Sequence, residues 1–124
     1  MQKVLIIEDS KVTNMYLSLC LKDDYDLVSA NNAREGTEII AEHIPDCIVS
    51  DLLMDEMDGF QLLEYLRQEN IKIPTIIMSS DIQEVDKGRC LALGACAVLN
   101  KPVRSEELRK EVQKALATVN KQGC

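Results

Sequence analysis

Five short apolar runs, separated by longer amphipathic segments, constrain the fold of this chain more than any other feature of its sequence. The runs occupy residues 4–7, 25–30, 47–50, 73–78 and 97–99 of a 124-residue chain. Apolar runs of this length predict buried strands, and the segments between them have the length and pattern of helices. Strict alternation of strand and helix predicts an α/β fold, in which a parallel sheet carries helices on both faces and the crossovers are right-handed.

Residues with capping chemistry mark the predicted start of each helix. Short polar side chains that can accept a backbone hydrogen bond stand at Ser10, Asn32, Asp58, Asp81 and Ser105. Three of these positions have Glu or Gln three residues later, which is the spacing of a capping box. We expect Pro45 to end the second helix and Gly94 to end the fourth.

The first and last predicted helices each have an apolar stripe at helical spacing. In the first helix the apolar residues that fall on one face are Val12, Met15, Tyr16, Leu19 and Cys20. In the last helix they are Leu108, Val112, Leu116 and Val119. Such stripes are typical of helices that pack on a sheet.

The charge balance excludes several classes of partner. The chain has 14 Lys and Arg against 21 Asp and Glu, a formal charge of −7. Binding to nucleic-acid phosphates or to an anionic membrane surface requires clustered positive charge. No apolar run approaches the roughly 18–20 residues of a membrane span, and the amino-terminal run is too short for a signal peptide. We therefore expect a cytoplasmic protein without direct nucleic-acid contact or membrane insertion.

The five cysteines predict reduced thiols rather than a disulfide framework or a zinc site. Their number is odd, and no two of them form a C-x-x-C pair. The single histidine, His43, does not lie near a cysteine pair, as a zinc site would require. We expect most of these thiols to fill small spaces in the core.

Polar side chains follow four of the predicted strands. Glu8 and Asp9 follow the first, Asp51 ends the third, Ser79 follows the fourth and Lys101 follows the fifth. In open parallel sheets the functional site lies beyond the carboxyl ends of the strands, where the strand order reverses. Carboxylates gathered there repel one another unless a cation joins them, and oxygen-only ligands favour Mg²⁺ or Mn²⁺. A lysine, a hydroxyl and an aspartate nucleophile suit a phosphoryl group.

Six short motifs occur in a fixed order along this alternation. They are Glu8-Asp9, Ser50-Asp51-Leu52-Leu53-Met54, Met57-Asp58-Gly59, Pro74 to Ser79, Leu93-Gly94-Ala95 and Lys101-Pro102. Each motif is weak alone, but together they resemble the receiver domains of response regulators in two-component signalling, over essentially the whole chain. The resemblance implies a flavodoxin-like fold with strand order 2-1-3-4-5 and five helices, as one domain over residues 1–124, either stand-alone or a fragment of a larger regulator or hybrid kinase.

The resemblance also implies an acceptor and a metal site. Asp51 would accept a phosphoryl group from a histidine kinase or a histidine phosphotransfer protein. Asp9 and Asp51 would bind Mg²⁺, with Glu8 acting through a coordinated water and the backbone carbonyl of Leu53 as a further ligand. Glu8 stands where Asp is commoner in the family.

Other residues would read or tune the phosphoryl group. By resemblance, Ser79 is the switch hydroxyl and Lys101 pairs with the phosphoryl oxygens. The peptide bond between such a lysine and the following proline, here Pro102, is usually cis in the family. Leu53 and Asp81 stand at positions that tune the lifetime of the aspartyl phosphate. Val98 replaces the usual aromatic residue of the fifth strand, which places the usual coupling to the output surface in doubt.

These features predict a phosphorylation-controlled switch or phosphorelay intermediate rather than an enzyme with a separate substrate. It would be a monomer or weak dimer, and phosphorylation would alter the surface of the fourth helix, fifth strand and fifth helix for a protein partner. The alternatives are a phosphorylation-independent adaptor, an aspartyl-phosphate phosphohydrolase and a flavodoxin-like cofactor binder. The phosphohydrolase would need an Asp where Leu53 stands, and the cofactor binder would need a Ser-, Thr- or Gly-rich loop after the first strand.

Overall fold

The chain folds into a parallel sheet with helices on both faces, in a computed structural model that describes residues 1–53, 57–80 and 83–122. The strands are β1 (Lys3–Ile7), β2 (Asp26–Ala30), β3 (Cys47–Asp51), β4 (Thr75–Ser79) and β5 (Ala97–Asn100). The helices are α1 (Lys11–Leu21), α2 (Ala33–Glu42), α3 (Gly59–Gln68), α4 (Glu84–Ala92) and α5 (Ser105–Gln122). The sheet order β2-β1-β3-β4-β5 confirms the predicted topology.

The central strand β1 shows why the apolar runs are continuous. Val4 and Ile6 are fully buried in a cluster with residues of α1 and α5. Leu5 and Ile7, which point to the opposite face, are fully buried in a cluster with residues of α2 and α3. Since both faces are covered, every position of the strand after Lys3 is apolar. The three α5 residues of the predicted stripe whose side chains are described, Leu108, Val112 and Leu116, are buried as predicted.

The predicted packing of α1 is wrong. Four of its five stripe residues are exposed, with Val12 81%, Met15 65%, Tyr16 41% and Leu19 58% accessible. The helix packs instead through Leu17 and Leu21, which are fully buried. Cys20, the fifth stripe residue, is partly buried beside this core. Because α1 has apolar residues on two faces, spacing alone does not identify the buried one. We call the exposed set Val12, Met15, Tyr16 and Leu19 the α1 stripe.

Side-chain caps begin three helices as predicted. Ser10 and Asn32 each accept a hydrogen bond from the backbone N–H three residues later, at 3.3 and 2.8 Å. Asp58 and Gln61 form a reciprocal capping box in which both bonds are 2.9 Å. These bonds satisfy amide groups that have no partner within the helix.

The predicted start of α4 is wrong. Its N-cap is Gln83, which makes no side-chain capping bond, and Asp81 lies outside the described residues. At the other end the helix stops as predicted. Gly94 there has φ of 108°, a backbone conformation that residues other than glycine rarely adopt. Strand β4 also begins later than predicted, at Thr75, because Pro74 has no N–H to donate to a neighbouring strand.

The four cysteines that the structure describes are free thiols, as predicted. Cys47 and Cys90 are buried, and burial raises the pKa of the Cys47 thiol to about 12. Among the helices described, none has the length and apolar character that a bilayer crossing requires.

Candidate functional site

The carboxyl ends of β1, β3, β4 and β5 bring the predicted site residues to one edge of the sheet. Asp51 is the last residue of β3 and pairs in register with Met78, one residue before Ser79 at the end of β4. Glu8 follows β1 directly, and Lys101 follows β5. Parallel pairing of adjacent strands therefore brings residues from four distant parts of the sequence to the same edge of the sheet, as the sequence predicted.

Three of these side chains are carboxylates that form one cluster. One oxygen each of Glu8, Asp9 and Asp51 lies within 4.8 Å of the other two. Glu8 is 1% exposed and Asp51 is 8% exposed, whereas Asp9 is open to solvent. The cluster is therefore closed on the sheet side and accessible from outside.

Lys101 supplies the positive charge on the flank of this cluster. Its Nζ lies 2.6 Å from Oε1 of Glu8 and 3.3 Å from Oδ2 of Asp51. Its backbone N–H donates a 2.9 Å hydrogen bond to the carbonyl of Ser79, which fixes the residue at the end of the β4–β5 pair. The peptide bond between Lys101 and Pro102 is cis, as the family resemblance implied.

Burial and charge together set the protonation behaviour of the three interacting groups. Burial raises the pKa of the Asp51 carboxyl, and the charge of Lys101 offsets part of the rise. Burial also raises the pKa of Glu8, against the lowering effect of its contact with Lys101. For Lys101, burial lowers the pKa, but the contact with Glu8 and the charge of Asp51 outweigh it and the net shift is upward. The lysine therefore stays cationic beside two carboxylates.

The donor set of the cluster fits Mg²⁺. It consists of carboxylate oxygens, without an imidazole or thiolate, and hard divalent cations prefer such ligands. Three carboxylates face a single ammonium, so the local charge is negative when all are ionised. A divalent cation would relieve this repulsion.

The Met57-Asp58-Gly59 motif has a steric explanation in this geometry. The N–H of Gly59 donates a 2.7 Å hydrogen bond to the carbonyl of Leu52, immediately after Asp51. A Cβ at position 59 would lie 3.0 Å from Cα of Leu52 and 3.3 Å from the carbonyl oxygen of Asp51. Glycine therefore lets the start of α3 close onto the loop that follows Asp51.

The remaining predicted residues occupy different environments. Ser79 is buried beside Asp51 in the sheet, whereas Ser80 is exposed. Leu53 is 62% exposed, two residues after Asp51. Val98 is half-buried and packs on a small apolar cluster between the sheet and the helices α3 and α4. Asp81 lies outside the described residues.

Sequence reasoning missed two contacts of the site. The first is the short Glu8–Lys101 ion pair, since the resemblance paired Lys101 with the phosphoryl oxygens and named no partner for it among the carboxylates. The second is the hydrogen bond of 2.7 Å that Tyr16 Oη donates to the carbonyl of Val103. Tyr16 and Val103 also line a groove of about 470 Å³ between α1 and the segment that follows β5. No local sequence signal joins residues 87 positions apart.

Comparison with known proteins agrees with this fold. The CiaR transcriptional regulatory protein of Streptococcus pneumoniae is 34% identical over 116 residues, covering 94% of this chain and 52% of that protein. A protein-glutamate methylesterase/protein-glutamine glutaminase of Treponema denticola is 38% identical over 109 residues, covering 84% of this chain and 29% of that protein. The solved structure of the chemotaxis protein CheY4 of Vibrio cholerae has a TM-score of 0.87 at 29% identity, covering 94% of this chain and 99% of that one.

The match is confined to one part of the longer relatives. The chain spans about half of the pneumococcal regulator and less than a third of the methylesterase, so the activities of those whole proteins do not carry over to it. The family model of the response regulator receiver domain matches residues 4–113, which include all five strands except Lys3 of β1, and all of the site. The chain therefore belongs to the response regulator receiver domain family of two-component signalling.

Proposed function

We propose that the protein is a phosphorylation-controlled signalling switch in which Asp51 accepts a phosphoryl group from a phosphohistidine. The observation that carries this proposal is the position of the Asp51 carboxylate, at a strand end and 3.3 Å from the Lys101 ammonium. Asp51 retains 8% exposure, so the carboxylate can be reached from outside. The donor would be a histidine kinase or a histidine phosphotransfer protein, because these carry the phosphohistidine in two-component systems.

The transfer balances without a further reactant. A carboxylate oxygen of Asp51 forms the new P–O bond, the P–N bond to the donor imidazole breaks, and that nitrogen keeps the electron pair. Lys101 would then pair with the phosphoryl oxygens, and the Ser79 hydroxyl would donate a hydrogen bond to them. Electrostatic stabilisation of this kind supplies most of the catalysis in phosphoryl transfer.

Asp9 and Asp51 would hold Mg²⁺ directly, with Glu8 acting through water and the carbonyl of Leu53 as a further ligand. The ion would neutralise negative charge on the phosphoryl oxygens and let them approach the carboxylates. The support for this assignment is the all-oxygen cluster and its surplus of negative charge.

The phosphodonor protein would cover the α1 stripe. These apolar side chains are exposed on the helix that borders the site, and large exposed apolar patches mark interaction surfaces. Helix α1 contains no acidic residue and has Lys11 at its start, in a chain of net charge −7. An amphipathic helix on the donor, with its apolar face against the stripe, would complement it. We propose that residues 1–124 act as one domain and that output passes through α4, β5 and α5 to a separate partner.

Intact mass measured after incubation with acetyl phosphate and Mg²⁺ tests the proposal. Wild type should gain one phosphoryl group, and Asp51→Asn should gain none. Asp23→Asn, on an exposed turn remote from the site, is the matched control and should behave like wild type. A wild-type protein that gains no phosphoryl group would favour the phosphorylation-independent adaptor. Equal gain by wild type and Asp51→Asn would show that Asp51 is not the acceptor.

A further inference from the structure

Each oxygen of the Glu8 carboxylate has one described partner, through an ion pair for Oε1 and a hydrogen bond for Oε2. Oε1 lies 2.6 Å from the Lys101 ammonium, and Oε2 accepts a 3.2 Å hydrogen bond from the backbone N–H of Ser10. The Glu8 side chain is 0% exposed, so solvent does not compete for these contacts. Ser10 is itself fixed as the N-cap of α1. Glu8 is therefore a rigid partner for the lysine.

Lys101 is closer to Glu8 than to the proposed acceptor. The distances from Nζ are 2.6 Å to Glu8 and 3.3 Å to Asp51. Charge pairs strengthen as distance and solvent exposure fall, and the Lys101 side chain is only 19% exposed. In this structure the main partner of the Lys101 ammonium is therefore Glu8.

Both members of this pair have another task in the proposed function. Glu8 is needed beside the metal, and Lys101 is needed on the phosphoryl oxygens. From this conflict we infer that Glu8 is a positioning residue that holds Lys101 in the metal-free protein, so that binding of Mg²⁺ and release of the lysine are coupled. The inference rests on the proposed function, because it concerns the same site.

The length of the Glu8 side chain is what makes this contact. An aspartate at position 8 would be shorter by one C–C bond, about 1.5 Å. The oxygen would then withdraw from the ammonium while the charge at position 8 stays the same. Glu8→Asp therefore weakens the ion pair without removing a carboxylate from the cluster.

A double-mutant cycle on Mg²⁺ affinity tests the coupling. Titration calorimetry would compare wild type, Glu8→Asp, Lys101→Gln and the double variant, each checked for its fold by circular dichroism. We expect Glu8→Asp to tighten Mg²⁺ binding by about three- to thirtyfold when Lys101 is present, a range typical of coupling between contacting residues. In the Lys101→Gln background Glu8→Asp should bring no such gain. The same gain in both backgrounds, or no gain in either, would overturn the inference.

A second measurement is made on the wild-type protein, and a variant is needed only to assign the signal. Exchange of the Lys101 ammonium protons with water can be followed by ¹⁵N nuclear magnetic resonance, with the signal assigned by its loss in Lys101→Gln. We expect slow exchange without Mg²⁺ and faster exchange at saturating Mg²⁺, while the exposed Lys22 stays unchanged. Exchange of Lys101 that Mg²⁺ leaves unaltered contradicts the coupling.

Failure of this inference can be told apart from failure of the proposed function. Neither experiment contains a phosphodonor, so both report on Glu8 and Lys101 even if Asp51 proves not to be the acceptor. Conversely, wild type that gains a phosphoryl group at Asp51 but shows additive Mg²⁺ affinities would retain the function and lose the coupling.

Discussion

The guanidinium carbon of Arg89 on α4 lies 4.0 Å from the centroid of the Phe60 ring on α3. Arg89 also approaches Glu64 of α3 at 3.9 Å. Phe60 is the single phenylalanine of the chain and belongs to the apolar cluster that contains Cys90 and borders Val98. The contact therefore joins α4 to α3 beside the strand position from which the usual aromatic residue is missing.

Arg89→Ala should loosen α4. Loss of a cation–π contact at a partly exposed site costs about 0.5–1 kcal/mol. We expect faster amide hydrogen exchange in α4, with the strands β1 and β3 unaffected. Arg67→Ala, on an exposed position of the last turn of α3, is the matched control. Exchange in α4 that is equal in the two variants would show that the Arg89–Phe60 contact does not tether the helix.

Alanine at two helical glycines should have opposite effects. Gly88→Ala should stabilise the fold by about 0.5–1 kcal/mol, because its added Cβ meets nothing within 4 Å beyond its own stretch of helix and alanine favours helix. Gly59→Ala should destabilise it by roughly 1–3 kcal/mol, because its Cβ would press on Leu52 backbone. Urea denaturation measures both changes. A stabilising Gly59→Ala would show that α3 can move away from the end of β3 at little cost.

Asp51→Asn should stabilise the metal-free protein at neutral pH. The pKa of Asp51 is raised, chiefly by burial, so the folded state binds its proton more tightly than the unfolded state. The contribution of Asp51 to the stability is then highest in acid and falls as the pH rises above the ordinary value of 3.8. Asparagine does not ionise, so this fall in stability with rising pH is removed. Lys101 keeps its contact with Glu8.

The gain for Asp51→Asn should be largest at neutral pH, because burial disfavours the ionised carboxyl in the folded state. It should shrink as the pH falls towards 3.8. Urea denaturation across this pH interval measures it, with the exposed Asp23→Asn as control. A gain that does not change with pH would show that ionisation of Asp51 is not its cause.

A charge placed on the α1 stripe should separate protein donors from small ones. Met15→Glu should slow phosphotransfer from a phosphohistidine protein by about tenfold or more, equivalent to about 1.4 kcal/mol at an interface. Phosphorylation by acetyl phosphate should be unchanged, since Met15 does not belong to the carboxylate cluster. Ala41→Glu puts the same charge on an exposed position of α2 and is the matched control. Equal slowing with both donors would mean that Met15 acts on the site itself.

Leu53 should prolong the life of the aspartyl phosphate. The side chain is 62% exposed and stands two residues after the proposed acceptor, where it can exclude water from the phosphoryl group. We expect Leu53→Asn to lose the phosphoryl group several-fold faster, followed by intact mass over time. Leu91→Asn replaces a leucine of α4 that is 44% exposed and should match wild type. A loss rate for Leu53→Asn no faster than wild type would remove this role.

The sequence predicted those parts of the molecule that depend on neighbours along the chain or on strand ends. The Asp58–Gln61 capping box is local, and the convergence of Glu8, Asp51 and Lys101 follows from parallel strands. The buried face of α1 could not be predicted from spacing, since Leu17 is as apolar as Leu19. The choice between those faces is made by elements distant in sequence.

Contacts between side chains were beyond prediction for a different reason. Whether Lys101 turns to Glu8 or to Asp51 depends on rotamers and on differences of less than 1 Å, since the two distances are 2.6 and 3.3 Å. The type of residue at a strand end specifies neither its rotamer nor distances at that precision. Those differences nevertheless determine which carboxylate holds the lysine before any ligand arrives.

The Tyr16 hydroxyl connects the exposed face of α1 to the segment that follows Lys101. It donates a hydrogen bond to the carbonyl of Val103, two residues beyond Lys101, while Tyr16 remains 41% exposed as part of the α1 stripe. A partner that contacts Tyr16 would therefore contact a residue that is hydrogen-bonded to the segment following Lys101. The α1 stripe is thus joined to Lys101 by one hydrogen bond and two residues of backbone, outside the core of the sheet.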